Sequence, residues 1–85
     1  TTVCSPEKCV GIKGGNVGLT KGGTGDVQAG LTAALFAKND AFLAATSASF
    51  IVKGAADALY KKVGIAYNAD DLAREIPLFF PQFLR

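Results

Sequence analysis

A glycine-rich run, Lys21-Gly22-Gly23-Thr24-Gly25-Asp26, lies directly before a helical pattern and constrains the fold more than any other part of the sequence. A helix N-terminus leaves about four backbone N–H groups unpaired and carries roughly half a unit of positive charge. Glycines let an anion approach those groups without meeting a Cβ atom. The run therefore predicts a phosphate-binding loop with an acid/base residue, Asp26, beside it.

The spacing of these glycines excludes two common phosphate-binding motifs. A P-loop ends in a glycine followed by Lys and then Ser or Thr, and no glycine of this chain stands in that register. The Rossmann fingerprint needs a third glycine where this chain has Gln28, and Gly30 comes too late. A structural alternative stays open, in which the run is a flexible turn that ends in Asp26 as a helix N-cap.

The residues on either side of the loop predict a hairpin followed by helices. Two short strands flank the four-residue loop Ser5-Pro6-Glu7-Lys8 and indicate a β-hairpin over residues 1–13. The glycine-rich loop follows over 14–25, a helical region over 26–77 and an apolar tail over 78–85. The sequence thus predicts one partial α/β domain.

Apolar residues at helical spacing divide the helical region into three predicted helices. The first ends near Lys38, and the second runs from about Ala41 to Lys62. The third opens at Asp70 or Asp71, which we interpret as caps, and ends before Pro77 because proline disfavours helix at the residue before it.

Cys4 and Cys9 flank the hairpin loop and are the two cysteines of the chain. The hairpin would place them opposite each other, so a disulfide is sterically conceivable. A cytosolic setting keeps thiols reduced, and we therefore expect two small buried thiols. With no histidine in the chain, we expect no metal site built from its side chains.

Composition restricts the classes of partner. The net charge is +2 and no basic run occurs, so we expect neither nucleic acid nor a membrane as partner. No signal peptide is visible, and we expect a cytoplasmic chain. Hydrophobic residues reach 49% and the second helix is apolar on most of its circumference. This surface predicts a homo-oligomer or a second chain that supplies the rest of the domain.

Three polar or aromatic residues of the helical region have structural interpretations. Lys53 and Asp57 lie one helical turn apart, which predicts a solvated ion pair worth a few tenths of a kcal/mol. Tyr67 is expected to be a half-buried packing residue.

The segment from Asn16 to Gly30 resembles the signature of the nucleotide-dependent NAD(P)H-hydrate dehydratases, which belong to the ribokinase-like superfamily. It follows the pattern N-x-G-x-x-x-x-G-G-T-G-D-V-L-x-G and departs from it mainly at Gln28, where an apolar residue is usual. The resemblance continues through the alanine-rich helix after Asp40 and through Asn68-Ala69-Asp70-Asp71-Leu72.

This resemblance implies the C-terminal portion of a ribokinase-like fold and a carbon–oxygen lyase that repairs hydrated NADH and NADPH. ADP or ATP would phosphorylate the ring hydroxyl, and phosphate would then leave. Asp26 would be the general base and contact the hydrate, and Asn16 would help to bind the substrate. Mg²⁺ would bridge phosphate oxygens, without a ligand that can be named in this segment. The nucleotide- or anion-binding residues would be Gly22, Gly23, Thr24 and Gly25.

Two alternatives stay open beside the dehydratase. The same loop serves small-molecule kinases of the superfamily, such as one that acts on a vitamin precursor. The chain is also far shorter than a ribokinase-like domain, so it is expected to be incomplete alone. A truncated remnant that only binds phosphate ligands or self-associates is the non-enzymatic alternative.

Overall fold

The computed structural model describes residues 1–83, and the side chains of residues 1–79. A hairpin followed by three helices agrees with the predicted order, and the first helix begins at Thr24, within the segment 14–25 predicted as a loop. Strands β1 (Thr2–Cys4) and β2 (Cys9–Gly11) precede a single 3₁₀ turn at Val17–Thr20. The three helices are α1 (Thr24–Phe36), α2 (Ala41–Val63) and α3 (Ala69–Phe83).

The hairpin is antiparallel, with Thr2 opposite Gly11 and Cys4 opposite Cys9. Its loop is closed by Ser5, whose N–H donates to the carbonyl of Lys8 at 2.7 Å. The expectation of two buried, reduced thiols is wrong, because Cys4 and Cys9 are exposed and joined by a disulfide. The ladder itself brings them together, with 4.0 Å between their Cα atoms.

Helix α2 is capped at both ends by residues outside it. The Asp40 side chain accepts a hydrogen bond from the N–H of Leu43 at 2.8 Å. At the other end, Gly64 has a positive φ of 61° and its N–H donates to the carbonyl of Tyr60. These contacts confirm a helix from Ala41 to the region of Lys62.

Helix α3 departs from its predicted ends. Its cap is Asn68, whose N–H donates to Asp71 and whose side chain accepts from the N–H of Asp71, at 3.0 and 2.9 Å. The helix also continues beyond Pro77 to Phe83. Ile76 and Phe79 pack against the core on either side of the proline. We attribute the continuation to this burial, which offsets the one hydrogen bond that proline cannot make.

The core lies along α2, between α1 and α3. Tyr67 is not half-buried as expected but 2% exposed, and it belongs to this core. The buried cluster consists of Ile51, Val52, Ala55, Ala56, Leu59, Tyr67, Leu72 and Ile76, against which Leu19, Val27, Leu31, Leu35 and Phe79 pack. By length and composition alone, α2 could cross a membrane, and 44% of its apolar window is buried inside the chain. Five residues of α2 belong to the buried cluster, namely Ile51, Val52, Ala55, Ala56 and Leu59.

Several large apolar side chains lie on the surface. Phe36 is 58% exposed, and Leu43 and Phe50 on α2 are 47% and 45% exposed. The sequence analysis expects exposed apolar surface, and these side chains provide it. The partner chain that would cover this surface stays a prediction. Of the apolar tail 78–85, Leu78 is exposed and Phe79 packs on the core, and the remaining side chains lie outside the described residues.

Candidate functional site

The first turn of α1 has no side-chain cap. Its N-cap is Gly23, with a left-handed φ of 90°, and no side-chain hydrogen bond closes this end of the helix. The interpretation of Asp26 as N-cap is therefore wrong, since Asp26 lies three positions further on, within the helix. Thr24 is buried beneath the turn, its Oγ1 2.8 Å from the carbonyl of Leu19 and 2.9 Å from that of Lys21. Thr24 thus fixes the loop from inside.

Two backbone N–H groups of this turn are free to bind an anion. The N–H of Val27 makes the first full helical hydrogen bond, to the carbonyl of Gly23 at 3.1 Å. The N–H groups of Gly25 and Asp26 have no acceptor within residues 1–83. A Cβ atom added at Gly22 or Gly25 would meet nothing within 4 Å, so the space in front of the turn is open. An anion could therefore reach these N–H groups.

Asp26 lies on the first turn of α1 and is exposed. Its carboxylate makes no hydrogen bond or ion pair with any residue that the structure describes. The sequence thus puts an unengaged carboxylate on the same turn as the two free N–H groups. Such a pair of features can hold a phosphate group and accept a proton beside it.

Asn16 has a different position from the one expected of a substrate-binding residue. Its Nδ2 donates to the carbonyl of Ala56 and to Oδ1 of Asp57, both at 3.1 Å. Its Oδ1 accepts from the N–H of Gly18 at 3.0 Å and from the hydroxyl of Tyr67 at 2.7 Å. All four hydrogen-bonding positions are used within the chain. The substrate contact of Asn16 stays a prediction.

The predicted ion pair between Lys53 and Asp57 is wrong. Asp57 instead accepts from the N–H of Gly15 at 3.1 Å and from Asn16, while Lys53 reaches the carbonyl of Gly14 at 3.4 Å. Both side chains of α2 therefore hold the start of the glycine-rich loop. The spacing of Lys53 and Asp57 along α2 does not predict these contacts, because the loop residues that they bind lie about 40 positions earlier in the chain.

Tyr67 connects this network to the core. Burial is the largest influence on its phenol and raises the pKa above the ordinary value of 10.0. The hydrogen bond to Asn16 lowers the pKa and the nearby charge of Asp57 raises it. A Cβ atom at Gly18 would overlap the Tyr67 ring, so the 3₁₀ turn and the tyrosine are in close contact.

Lys21, the first residue of the glycine-rich run, makes contacts that its position in the sequence does not indicate. Its Nζ donates to the carbonyl of Tyr67 at 2.6 Å and to the carbonyl of Ile65. It also lies 5.3 Å from the centre of the Tyr67 ring. Among the described residues, no group of three or more His, Cys, Asp or Glu side chains could hold a metal ion. Participation of Mg²⁺ stays a prediction.

Comparison with known proteins gives one consistent family. The sequence model described as NAD(P)H-hydrate dehydratase matches residues 1–78. The bifunctional NAD(P)H-hydrate repair enzyme Nnr of Methanocaldococcus jannaschii is 57% identical over 65 residues, which is 76% of this chain and 13% of that enzyme. The enzyme of the same name from Archaeoglobus fulgidus is 46% identical over 65 residues, 76% of this chain and 14% of the relative.

A third relative of the same name, from Methanospirillum hungatei, is 33% identical over 75 residues, 88% of this chain and 16% of the relative. The chain therefore spans between 13% and 16% of the length of these relatives. No solved structure matches the chain.

Proposed function

The chain belongs to the NAD(P)H-hydrate dehydratase family, and we propose that it is the catalytic C-terminal segment of an enzyme that repairs hydrated NADH and NADPH. The fold proposed for the whole domain is ribokinase-like, and the present hairpin and three helices would form its final part. The reaction is a dehydration that depends on ADP or ATP, which makes the enzyme a carbon–oxygen lyase.

One observation carries this proposal. The first turn of α1, which has no side-chain cap, contains both the free N–H groups of Gly25 and Asp26 and the unpaired carboxylate of Asp26. The N–H groups of Gly25 and Asp26, together with the positive end of the helix, stabilise negative charge on a phosphate group. The absence of side chains at Gly22 and Gly25 gives that group room to approach. The left-handed turn at Gly23 sets the direction in which the N–H groups point.

Asp26 acts as the general base in this proposal. Its exposed carboxylate accepts the proton of the hydroxyl group on the hydrated nicotinamide ring. Bound ADP or ATP with Mg²⁺ would supply the phosphoryl group that converts this hydroxyl into a phosphate ester. Phosphate would then leave as the neighbouring ring carbon loses a proton, which restores the ring double bond. Thr24 and Asn16 hold the loop in place, since their side chains are already engaged with other parts of the chain.

We also propose that the exposed face of α1 is covered by the remainder of the domain. This face carries a shallow depression of 530 Å³, which ends at Phe36. It is formed by Gly25, Gln28, Ala29, Thr32, Ala33 and Phe36, none of them charged. An uncharged face beside the phosphate site suits packing against another part of the enzyme.

The test is the substitution Asp26→Asn in the complete protein, assayed with hydrated NADH, ADP or ATP, and Mg²⁺. Asparagine keeps the shape but cannot accept the proton, so turnover should fall by about a hundredfold or more. Folding should be retained because Asp26 makes no contact that the substitution would remove. Asp40→Asn is the matched control, since Asn caps α2 as well as Asp does and activity should stay unchanged.

Full activity of Asp26→Asn would refute the general-base role. The same assay separates the alternatives to a dehydratase. A stable phosphorylated product from a vitamin-like alcohol would identify a small-molecule kinase. Phosphate binding without turnover of either substrate would identify the non-enzymatic alternative.

A further inference from the structure

Lys21 joins the glycine-rich loop to a distant part of the chain. Its ammonium group donates to the carbonyls of Ile65 and Tyr67, which lie in the connection between α2 and α3. No backbone N–H of the described residues donates to either carbonyl. Within residues 1–83, Lys21 has no carboxylate partner.

The connection that Lys21 binds is itself firmly held. The Tyr67 side chain is 2% exposed and its hydroxyl donates to Asn16, whose amide is anchored on α2 through Ala56 and Asp57. Tyr67 therefore contacts both ends of the segment 16–21, through its hydroxyl at Asn16 and through its carbonyl at Lys21. Ammonium to carbonyl contacts of this kind are charge-assisted and stronger than neutral hydrogen bonds.

The residues after Lys21 are tied back to its backbone, because the hydroxyl and the N–H of Thr24 both donate to the Lys21 carbonyl, at 2.9 and 3.4 Å. Gly22 and Gly23 carry no side chain, and Gly23 contacts the start of α3, where a Cβ atom would lie 3.0 Å from Ala69. The free N–H groups of Gly25 and Asp26 come directly afterwards. Because Thr24 is bonded to the Lys21 carbonyl, a displacement of Lys21 is passed to Thr24 and to the N–H groups that follow it.

We propose that Lys21 is a positioning residue that holds the first turn of α1 at a set distance and direction from the α2–α3 connection. The ammonium acts through the backbone of Ile65 and Tyr67 and does not itself contact the nucleotide. The proposal rests on the proposed function only for its effect on turnover. Its effect on the loop is independent of any reaction.

The first experiment measures amide hydrogen exchange of Thr24 and Val27, whose N–H groups donate to the carbonyls of Lys21 and Gly23, in the complete protein without nucleotide. Lys21→Met keeps the length of the side chain but removes its donors, and exchange should become about tenfold faster. Lys21→Arg can still reach two carbonyls and should restore most of the protection. Lys38→Met is the matched control, because Lys38 also carries an exposed cation near α1 but has no described partner, and exchange should not change.

The second experiment measures steady-state kinetics of the same variants with hydrated NADH and nucleotide. A misplaced loop should lower kcat by about tenfold in Lys21→Met, with less than a twofold change in the nucleotide KM. Lys21→Arg should recover kcat, and Lys38→Met should match the wild type.

Unchanged exchange in Lys21→Met would overturn the proposal whatever happens to activity. Unchanged exchange with a large rise in the nucleotide KM would show that Lys21 contacts the nucleotide directly, which also overturns it. If the wild type did not dehydrate hydrated NADH, the proposed function would fail. The exchange data alone would then still decide whether Lys21 positions the loop.

Discussion

The hydroxyl of Tyr67 donates to Oδ1 of Asn16 at 2.7 Å, and this bond joins residues 51 positions apart. Tyr67→Phe removes the bond and leaves the ring in the core. The Asn16 oxygen still accepts from Gly18, so the expected loss of unfolding free energy is about 1–2 kcal/mol. Urea unfolding measures it, with Tyr60→Phe as control because Tyr60 is 50% exposed. Equal losses in the two variants would contradict the prediction.

The same tyrosine predicts a dependence of stability on pH. Burial raises the pKa of Tyr67 in the folded chain above 10.0, so the folded state holds the proton more tightly than the unfolded state. The resulting stability is fully present below pH 10 and is lost as the pH rises through the folded pKa. Tyr67→Phe should therefore show a smaller alkaline loss of stability than the wild type. Parallel pH profiles of unfolding free energy would rule this contribution out.

Substitution by alanine should change the free energy of unfolding differently at Gly23 and at Gly25. Gly23 has a φ of 90° and a Cβ there would lie 3.0 Å from Ala69, so Gly23→Ala should cost about 1–2 kcal/mol of unfolding free energy. Gly25 has no positive φ and no neighbour within 4 Å, so Gly25→Ala should be neutral or slightly stabilising. Thermal unfolding distinguishes them, and a similar loss in both would contradict the geometry described for the loop.

Gly25→Val tests whether the missing side chain of Gly25 is needed for nucleotide binding and not for folding. Because the φ of Gly25 is not positive, a side chain there meets no left-handed backbone strain. The branched side chain should instead fill the open space in front of the free N–H groups. Nucleotide affinity of the complete protein should fall by about tenfold or more while the fold is kept. Unchanged affinity, measured by calorimetry on folded protein, would refute an anion site at this turn.

Gly54 is predicted to be essential for the packing of α3 on α2. A Cβ atom at Gly54 would overlap the ring of Phe79, so Gly54→Ala should cost about 1–3 kcal/mol of unfolding free energy. In a Phe79→Ala background the penalty should largely disappear, as a double-mutant cycle would measure. Gly30→Ala is the control, because nothing lies within 4 Å of its added Cβ. Strict additivity of Gly54→Ala and Phe79→Ala would contradict the contact.

The disulfide between Cys4 and Cys9 should add modest stability. It closes a short loop, with a sequence separation of 5, for which the loss of unfolded-chain entropy amounts to about 2 kcal/mol. Protein purified without reductant should resist thiol alkylation and gain two hydrogen atoms in mass on reduction. The doubly substituted Cys4→Ser/Cys9→Ser chain should unfold at lower urea concentration. Rapid alkylation of the untreated protein would show that the thiols are free, as a cytoplasmic location predicts.

The sequence by itself determined the local features of this protein. Strand and turn residues set the hairpin with Cys4 opposite Cys9, and Asp40 and Gly64 mark the ends of α2. The glycines before α1 and the Asp26 carboxylate could be found from their spacing, and the resemblance to the dehydratases rested on the same residues. Such features depend on residues within one or two turns of each other, so their physical causes are visible in a short stretch of sequence.

Only the tertiary structure decided how these parts are joined. Asp57 holds Gly15 and Asn16, and Lys21 binds the carbonyl of Tyr67, across 41 to 46 positions of sequence. Which donors meet which acceptors over that distance depends on how α2 and α3 pack, and apolar periodicity does not encode it. The continuation of α3 past Pro77 has the same origin, because burial on both sides of a proline can outweigh its missing hydrogen bond.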